Sequence, residues 1–331
     1  MTDQEAFELI FACNKIHTKE QLKLLQSLTL EQKIQATKIR IDEWYNHWNG
    51  QVYVSFSGGK DSTVLLDIAR QSHPDIEAVY IDTGLEYPEI RDFVKTKKNV
   101  TWLKPIKYNR TTKKYDRYTF KQVLEDYGYP VISKNISQYI HEIRTTKSDK
   151  LKQLRLNGVG SRTGVGVLSN KWKFLIDAPF KISDRCCSIM KKKPAHLFDK
   201  QSGKHPIIAT MTNESKQREL SWYKQGCNAF DKNNPSSQPM SFWTEQDVLQ
   251  YLITYKIPYA SVYGNIIKNS KNKLETTGAE RTGCMFCCYG VQCEKEPNRF
   301  QKMKITHPKQ YDYCIHKLGI GKILDFIGVK Y

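Results

Sequence analysis

The chain has 331 residues, which is long enough for one large domain with its own hydrophobic core and a smaller appended segment. Its 52 Lys and Arg residues against 34 Asp and Glu residues give a formal charge of +18, which favours anionic ligands such as nucleotides and nucleic acids. No apolar run approaches the roughly 20 residues of a membrane-spanning helix, and residues 1–5 lack the pattern of a signal peptide. We therefore expect a cytoplasmic protein without a membrane partner.

Residues 1–48 are predicted to be helical. Thr29 and Gln32 form a candidate capping box, and apolar residues then recur at spacings of three and four as far as Trp48. Thr37 is the only weak member of this stripe. The pattern predicts helices that pack on the main domain rather than a binding site.

From residue 51 onward, predicted strands alternate with predicted helices. The strands are expected at 52–56, 78–81, 100–103 and 206–209, and the helices at 62–72, 88–98 and from Thr244 to about Tyr255. This alternation predicts an α/β fold with a doubly wound, mostly parallel sheet that binds ligands at the carboxyl ends of its strands.

Three regions follow from these patterns. We predict an N-terminal helical segment, a nucleotide-binding domain with a charged helical insertion, and a Cys-rich, helical C-terminal segment. Their predicted boundaries are 1–48 for the first, 49–265 for the second with its insertion at about 134–175, and 266–331 for the third.

The sequence Ser57-Gly58-Gly59-Lys60-Asp61-Ser62-Thr63 lies between the first predicted strand and the first helix of the domain. A glycine pair there lets the backbone approach a ligand closely and directs N–H groups at an anion. Lys60 adds a positive charge that we expect at a mobile surface loop, and the hydroxyl groups add donors. The Gly-x-x-x-x-Gly-Lys of a Walker A loop is absent. The alternative is a glycine turn beside a solvated lysine.

A second loop, Asp82-Thr83-Gly84, follows the second predicted strand. Gly84 permits a tight turn, and Asp82 and Thr83 offer acceptors and donors for a ribose or a metal-bound phosphate. Considered alone, this loop also fits an ordinary connection between a strand and a helix.

Nine cysteines without a secretion signal favour metal or redox use over disulfide bonds. Cys186-Cys187 and Cys284-x-x-Cys287 together offer four thiolates. Such a set suits a 4Fe–4S cluster or a tetrahedral zinc ion, and unligated buried cysteines are the third possibility. Cys288 or Cys293 can replace one ligand, with Cys287 the least secure of the four.

Residues 95–121 carry ten Lys and Arg residues and one acidic residue, Asp116. Trp102, Tyr108, Tyr115 and Tyr118 are interleaved with them. Basic and aromatic side chains together can follow a phosphate backbone and stack on bases. The stretch therefore predicts contact with DNA or RNA, and a solvated basic surface is the alternative.

Taken together, the two loops resemble the sulfonucleotide reductase branch of the PP-loop ATP pyrophosphatases, the phosphoadenylylsulfate (PAPS) reductase family. Three further segments resemble that family in the same order. They are Asp184–Cys187 with Lys191–Pro194, Met211–Ser215 with Arg218, and Pro239–Thr244 with Asp247-Val248. The resemblance covers about residues 51–290 and implies a Rossmann-type fold of the adenine nucleotide alpha-hydrolase kind.

The resemblance also implies roles for individual residues. Lys60, Asp61 and Arg218 would act in catalysis, with Arg218 on the α-phosphate or sulfate. Ser57–Thr63 would hold the phosphates, and Asp82, Thr83 and Gly84 the nucleoside. The cofactors would be ATP (or adenylylsulfate or PAPS), Mg²⁺, and a 4Fe–4S cluster of the CC…CxxC type on Cys186, Cys187, Cys284 and Cys287. Because they are near these cysteines in the sequence, Arg281 and Lys191–Lys193 would offset the charge of that cluster, and solvated side chains are the alternative.

The function implied first is ATP-dependent adenylation of a substrate, with a nucleic acid as the candidate acceptor, ahead of sulfur insertion. Sulfur insertion implies a sulfur-donor protein such as a cysteine desulfurase. A sulfonucleotide reductase that releases sulfite is the first alternative, and a non-catalytic accessory protein that binds nucleotide or nucleic acid is the second.

The chain departs from the reductase pattern near residue 314. Sulfonucleotide reductases share a Glu-Cys-Gly-x-His segment that carries the nucleophilic cysteine. Here the sequence is Tyr313-Cys314-Ile315-His316, without the glutamate or the glycine. Because its setting is apolar and helical, Cys314 is predicted to be a packing residue more readily than a nucleophile.

Overall fold

The computed structural model describes residues 17–231 and 233–331. The part of the predicted helical segment that precedes residue 17 lies outside the described residues. The described strands are, in chain order, β1 (Val52–Ser55), β2 (Glu77–Ile81), β3 (Val100–Leu103), β4 (Ile106–Asn109), β5 (Lys114–Arg117), β6 (Val131–Ile132), β7 (His205–Ile208), β8 (Asn228–Ala229), β9 (Ser236–Ser237), β10 (Ile266–Lys268), β11 (Leu274–Thr276) and β12 (Cys288–Tyr289).

The described α-helices are α1 (Lys19–Gln26), α2 (Leu30–His47), α3 (Lys60–Ser72), α4 (Pro88–Lys95), α5 (Phe120–Tyr127), α6 (Lys134–Thr145), α7 (Asp149–Asn157), α8 (Arg185–Cys187), α9 (Lys193–Ser202), α10 (Lys216–Gln225), α11 (Glu245–Thr254), α12 (Arg299–Thr306), α13 (Pro308–Asp312) and α14 (Ile320–Phe326). In the described ranges, no helix combines the length and apolar character that crossing a membrane requires.

Helix α2 forms as its sequence predicts. Thr29 and Gln32 exchange the two hydrogen bonds of a capping box. Thr37, the one weak residue of the apolar stripe, is completely buried. Its hydroxyl oxygen accepts a hydrogen bond of 2.8 Å from the indole of Trp243, so a polar residue is satisfied inside the core.

The central sheet has six strands in the order β3-β2-β1-β7-β9-β8. Neighbouring strands are parallel except at the edge, where β8 runs antiparallel to β9. Val54 on β1 lies opposite Ala78 on β2 and Ile207 on β7, and all three are completely buried. The predicted α/β fold with a mostly parallel sheet is confirmed. β1 is at the topological switch point of this sheet, because β2 and β3 continue the sheet on one side of it and β7, from a later part of the chain, begins the other side.

Two helix boundaries differ from those predicted. Helix α3 begins at Lys60, two residues early, because Gly59 adopts an extended conformation and serves as the N-cap. Helix α4 ends at Lys95 because Thr96 closes it and Asn99 then turns with a φ of +50°. The earlier start of α3 places Lys60 and Asp61 in the first turn of a helix rather than in a loop.

The described chain forms two compact units. The first contains residues 17–82, 87–103 and 195–282, and the second contains 83–86, 104–194 and 283–331. The first holds the six-stranded sheet and a core that includes Trp44, Trp243 and Tyr251. The second holds the β4–β5 hairpin, the parallel pair β6 and β12, and a smaller core around Ile140 and Leu175.

Candidate functional site

The Ser57–Thr63 loop follows β1, at the switch point of the sheet. Gly58 has a φ of +73°, a conformation that favours glycine. Gly59 then caps α3 without a side-chain hydrogen bond. A glycine turn that ends in a helix N-terminus is an arrangement suited to binding an anion, because backbone N–H groups and the helix dipole both favour negative charge there.

The hydroxyl groups of this loop brace it from within. Ser62 and Thr63 each donate a hydrogen bond of 3.0 Å to the carbonyl oxygen of Gly59. Ser57 Oγ lies 3.0 Å from Ser62 Oγ and accepts a hydrogen bond from the Gly59 N–H at 3.3 Å. These contacts fix the conformation of the glycine backbone.

Gly58→Ala is expected to lower the free energy of unfolding by about 2–5 kcal/mol. The left-handed conformation costs an alanine about 1–2 kcal/mol, and overpacking costs about 1–3 kcal/mol more. The overpacking arises because a Cβ atom would lie 2.7 Å from Val94 Cγ2 and 2.8 Å from Ile90 Cγ2. Gly203→Ala is the matched control, since Gly203 has a φ of +69° but no heavy atom within 4 Å of an added Cβ. Urea unfolding of both variants measures the difference, and equal losses would contradict the packing argument.

Lys60 is buried, so the expectation of a mobile surface cation is wrong. Its side chain is 4% exposed. Lys60 Nζ donates to the carbonyl oxygen of Glu280 at 2.7 Å and lies 3.1 Å from Glu245 Oε1. Its backbone N–H donates to the hydroxyl of Tyr263 at 3.1 Å. Because α3 starts at this residue, the lysine extends among residues 245–280 of the same unit instead of into solvent.

Asp61 follows in the first turn of α3. Burial raises the pKa of its carboxyl group, and the nearby charge of Lys60 opposes that rise. Its Oδ1 atom is buried without a hydrogen-bond partner within residues 17–231 and 233–331, although Lys60 Nζ lies 3.9 Å away. An unsatisfied carboxylate oxygen is the donor type that Mg²⁺ prefers, so Asp61 fits the implied magnesium ion.

Arg218 belongs to a charged group around Glu214. Arg218 and Arg281 both pair with the Glu214 carboxylate, the latter at 3.4 Å. Burial lowers the pKa of Arg218, Arg281 lowers it further, and Asp61 opposes both effects. Arg218 and Arg281 in turn oppose the rise in the pKa of Asp61. Arg281, which was predicted to offset the charge of a cluster, pairs with Glu214 in the structure.

The side chains of the second loop form hydrogen bonds with neighbouring residues of the protein. Asp82 is 2% exposed, and its Oδ2 accepts a hydrogen bond of 2.9 Å from Arg91. Thr83 donates through its hydroxyl to Glu86 Oε1 at 2.7 Å and through its N–H to Glu86 Oε2 at 3.1 Å. Gly84 makes the turn with a φ of +75°. The side chains of Asp82 and Thr83 therefore shape this loop.

The four predicted cysteine ligands line one pocket in the second unit. Leu85, which directly follows the second loop, lines it too, and its carbonyl oxygen accepts a hydrogen bond of 2.8 Å from the Met285 N–H. The remaining lining residues are mostly apolar. The full lining is Leu85, Phe120, Pro130, Cys186, Cys187, Met190, Lys191, Cys284 and Cys287.

Positive charge near the pocket favours the thiolate form of one cysteine, Cys187. Cys186 donates toward Cys187 Sγ across 4.0 Å, and this contact together with Lys134, Lys191 and Lys192 lowers the pKa of Cys187 to about 6. Burial raises the pKa of Cys284 to about 11, and Lys191 opposes that rise. Lys191 also lies 3.8 Å from Glu86 Oε1, which connects the pocket to the second loop.

The donor set matches the implied cluster in its chemistry, since cysteine thiolates are the ligands of iron–sulfur clusters. Across the described residues, no group of three or more His, Cys, Asp or Glu side chains has an arrangement that could hold a metal ion. A cluster distributes its thiolate ligands over several iron atoms, so its ligands need not converge on one point as around zinc. Cys288 is completely buried and Cys293 is exposed, and the cysteines that line the pocket are the four originally predicted.

The basic stretch 95–121 is divided between the two units. Trp102 packs against Tyr80 at 4.7 Å between ring centroids, and Tyr118 is buried with its hydroxyl bonded to Asp126. Burial therefore makes the Tyr118 ring unavailable to bases, whereas Trp102 is only partly buried. Tyr108 and Tyr115 are 47% and 56% exposed on the β4–β5 hairpin.

Sequence reasoning missed several residues around the site. Tyr263, Glu245 and Glu280 contact Lys60, and Thr282 lies 2.6 Å from the Tyr263 hydroxyl. Arg299 donates to the carbonyl oxygen of Cys287 at 3.0 Å. No local spacing could indicate these residues, since each is an isolated polar or aromatic side chain at least 12 positions along the chain from its partner.

Comparison with known proteins identifies the family. The phosphoadenosine phosphosulfate reductase domain matches residues 51–163 and 161–288. An uncharacterized protein of Methanocaldococcus jannaschii is 24% identical over 290 residues, which are 87% of this chain and 53% of that protein. An adenosine 5'-phosphosulfate reductase of Staphylococcus epidermidis is 22% identical over 247 residues, covering 73% of this chain and 72% of the relative.

This chain spans about half the length of the archaeal relatives that it matches. A crystal structure of the phosphoadenylyl-sulfate (PAPS) reductase from Candida auris, a phosphate complex, aligns at 13% identity with a TM-score of 0.38. That alignment covers 74% of this chain and 90% of the other. The family match extends from the strand before the Ser57–Thr63 loop to the Cys284-x-x-Cys287 segment, and the chain belongs to the phosphoadenosine phosphosulfate reductase domain family.

Proposed function

We propose that this protein is an ATP pyrophosphatase that adenylates an oxygen atom of an acceptor in preparation for sulfur insertion. The observation that carries the proposal is an intact Ser57–Thr63 loop in a chain whose Cys314 is completely buried. Burial raises the pKa of Cys314, which disfavours the thiolate that a nucleophile requires. His316, two residues on, is exposed and lies 4.0 Å from Asp312 Oδ1. These features favour ATP over a sulfonucleotide as the substrate.

In the proposed reaction, the acceptor oxygen forms a bond to the α-phosphorus of ATP. The bond from that phosphorus to the bridging oxygen breaks, and pyrophosphate leaves. A sulfur nucleophile then replaces the activated oxygen at the acceptor carbon, and AMP leaves with that oxygen. Phosphoryl transfer of this kind depends chiefly on positioning and on stabilising negative charge.

The chain supplies groups for both tasks. The Gly58-Gly59 backbone and the N-terminus of α3 would cradle the phosphates, with Lys60 neutralising charge. Lys60 would exchange its contacts with Glu245 and Glu280 for phosphate oxygens. Asp61 would hold Mg²⁺, an ion that neutralises phosphate charge in such reactions. Arg218 would bind the α-phosphate.

We assign the pocket of Cys186, Cys187, Cys284 and Cys287 to a 4Fe–4S cluster. When bound, such a cluster can transfer electrons. The mainly apolar lining would restrict access of water to it. Lys191 would offset its negative charge.

The acceptor that we propose is a nucleic acid, which the net charge of +18 favours. Sulfur insertion also requires a donor, and a protein that delivers sulfur from cysteine, such as a cysteine desulfurase, is the proposed partner.

The second candidate function is reduction of a sulfonucleotide. It is favoured by the relative named adenosine 5'-phosphosulfate reductase, which aligns over 73% of this chain. The two functions differ in substrate and in product, so one assay distinguishes them.

The test is to incubate anaerobically purified protein in parallel with ATP and with adenylylsulfate plus a thiol reductant. We expect AMP and pyrophosphate from ATP in the presence of Mg²⁺, and no sulfite from adenylylsulfate. Sulfite release without cleavage of ATP would establish the reductase instead. Nucleotide binding without turnover of either substrate would establish a non-catalytic binding protein.

A further inference from the structure

We infer that one face of the β4–β5 hairpin is a docking surface for single-stranded nucleic acid, with unpaired bases stacking on Tyr108 and Tyr115. The inference rests on the proposed function, because it assigns the acceptor of that reaction to a surface. It is carried by the geometry of the hairpin, its charge, and the proximity of Arg117 to the second nucleotide loop.

The hairpin presents two aromatic rings side by side. Tyr108 and Tyr115 are paired across the strands, and their ring centroids lie 5.2 Å apart in an edge-to-face arrangement. Both rings are about half exposed. Asn109 holds the turn, since its side-chain oxygen accepts hydrogen bonds from the N–H groups of Thr111 and Thr112 at 3.0 and 3.2 Å. Two fixed, exposed rings can stack on bases at a small cost in conformational entropy.

The two faces of the hairpin differ in chemistry. Because paired positions and residues two apart share a face, Ile106, Tyr108, Tyr115 and Arg117 form one face, which we call the tyrosine face. The acidic residue of the hairpin, Asp116, is on the opposite face, where it accepts a hydrogen bond of 2.8 Å from Asn109 Nδ2. The tyrosine face therefore carries aromatic and positive side chains without a carboxylate.

The charge of the hairpin suits a phosphate backbone. Residues 104–117 contain six Lys and Arg residues against one acidic residue. Lys107, on the opposite face, is engaged with Asp126 at 2.7 Å. Arg110 and Lys113 are exposed in the turn. Cations at the turn and at Arg117 thus lie at both ends of the tyrosine pair.

Arg117 connects the tyrosine face to the second nucleotide loop within one unit. Its Nη2 atom lies 3.8 Å from the position that a Cβ atom on Gly84 would take. The loop that begins at Thr83 also contributes Leu85 to the cysteine pocket. A strand lying along the tyrosine face would therefore run toward the loop that borders the cysteine pocket.

We expect the tyrosine face to prefer single strands to duplexes, because a ring can stack only on a base whose face is free. In a duplex the faces of the bases are covered by their neighbours, and an exposed two-ring platform can contact only the backbone. A duplex or an acidic protein would be attracted by charge alone, so neither would depend on the aromatic rings.

The experiment is a fluorescence-anisotropy titration of the whole protein with a labelled oligothymidylate, its RNA counterpart and a matched duplex, at several salt concentrations. We expect the single strands to bind at least about tenfold more tightly than the duplex, with affinity falling as salt rises. Tyr108→Ala and Tyr115→Ala should each weaken single-strand binding by roughly 5- to 150-fold, the range of base–aromatic stacking. Tyr108→Phe and Tyr115→Phe should retain binding, since a phenyl ring still stacks.

Two controls separate stacking from charge and from general damage. Tyr255→Ala removes a tyrosine of similar exposure, 43%, from the other unit and should leave binding unchanged. The double variant Arg110→Glu with Lys113→Glu should weaken binding and reduce its salt dependence. The double variant Lys150→Glu with Lys152→Glu, at exposed positions of α7, should weaken binding less.

Several outcomes would overturn the inference. They are equal affinity for duplex and single strand, equal losses in Tyr255→Ala and Tyr108→Ala, or competition by polyglutamate as effective as that by an unlabelled oligonucleotide. Absence of nucleic-acid binding while ATP is still cleaved to AMP and pyrophosphate would remove this surface but leave the proposed nucleotide chemistry intact. Loss of ATP cleavage, with nucleic-acid binding that still depends on the two rings, would remove the proposed nucleotide chemistry but leave this surface intact.

Discussion

Lys60→Met is expected to lower pyrophosphate release from ATP by about 10²- to 10³-fold, the effect of removing one preorganised group that stabilises transition-state charge. Lys60 Nζ would bind the phosphates at the N-terminus of α3, where the Gly58-Gly59 turn cannot supply a full positive charge. Methionine is the appropriate replacement because Lys60 is buried, and alanine would leave a cavity. Initial rates with ATP and Mg²⁺, together with thermal unfolding of each variant, make the measurement.

Lys33→Met is the matched control for this variant. Lys33 is also a buried lysine in the first unit, and it pairs with Asp247 at 2.7 Å. Its loss should reduce stability because a partly buried carboxylate loses its partner, but it should not reduce turnover by the same factor. A folded Lys60→Met protein with turnover within about tenfold of the wild type would contradict the role given to Lys60.

The second large effect concerns the cysteine pocket. Protein purified without oxygen is expected to be brown and to contain about four iron and four sulfide ions per chain. Cys186→Ser and Cys284→Ser should each remove most of the iron and the colour, because a hydroxyl is a poorer ligand than a thiolate for a soft iron–sulfur centre. Visible absorption and iron and sulfide analysis of the purified proteins measure the change.

Cys293→Ser is the control for the cysteine substitutions. Cys293 is exposed and is not among the residues that line the pocket, so its substitution should leave iron content and colour unchanged. Loss of colour in this variant would assign Cys293 as a ligand in place of one of the four. A colourless wild-type protein with one equivalent of zinc would contradict the cluster.

The fold was predictable where local pattern decides structure. The buried strand β1, the glycine turn and the apolar side of α3 each depend on neighbouring residues, and they appear within two residues of their predicted positions. The strands β8 and β9 have two residues each and were not predictable, since their pairing depends on the sheet that they join.

The sequence predicted which residues belong to the candidate site better than it predicted what those residues contact. The spacing of Cys284 and Cys287 indicated a shared pocket, and the structure has one. The burial of Lys60 was not predictable, because it results from Tyr263 and Glu280, about 200 positions away along the chain. The hydrogen bond that Arg91 donates to the carboxylate of Asp82, nine positions earlier, was not predicted either, and the role of Asp82 toward a nucleoside stays a prediction. Long-range contacts of this kind leave no periodic signal in the sequence.

The most direct test of the central claim is the position at which the protein cleaves ATP. ATP labelled in its γ-phosphate is incubated with Mg²⁺, a nucleic-acid acceptor and anaerobically purified protein, and the products are separated by anion-exchange chromatography. The account predicts label in pyrophosphate, with an equal amount of adenylate recovered as AMP or bound to the acceptor. Label in inorganic phosphate together with ADP, or intact ATP under conditions in which adenylylsulfate yields sulfite, would contradict it.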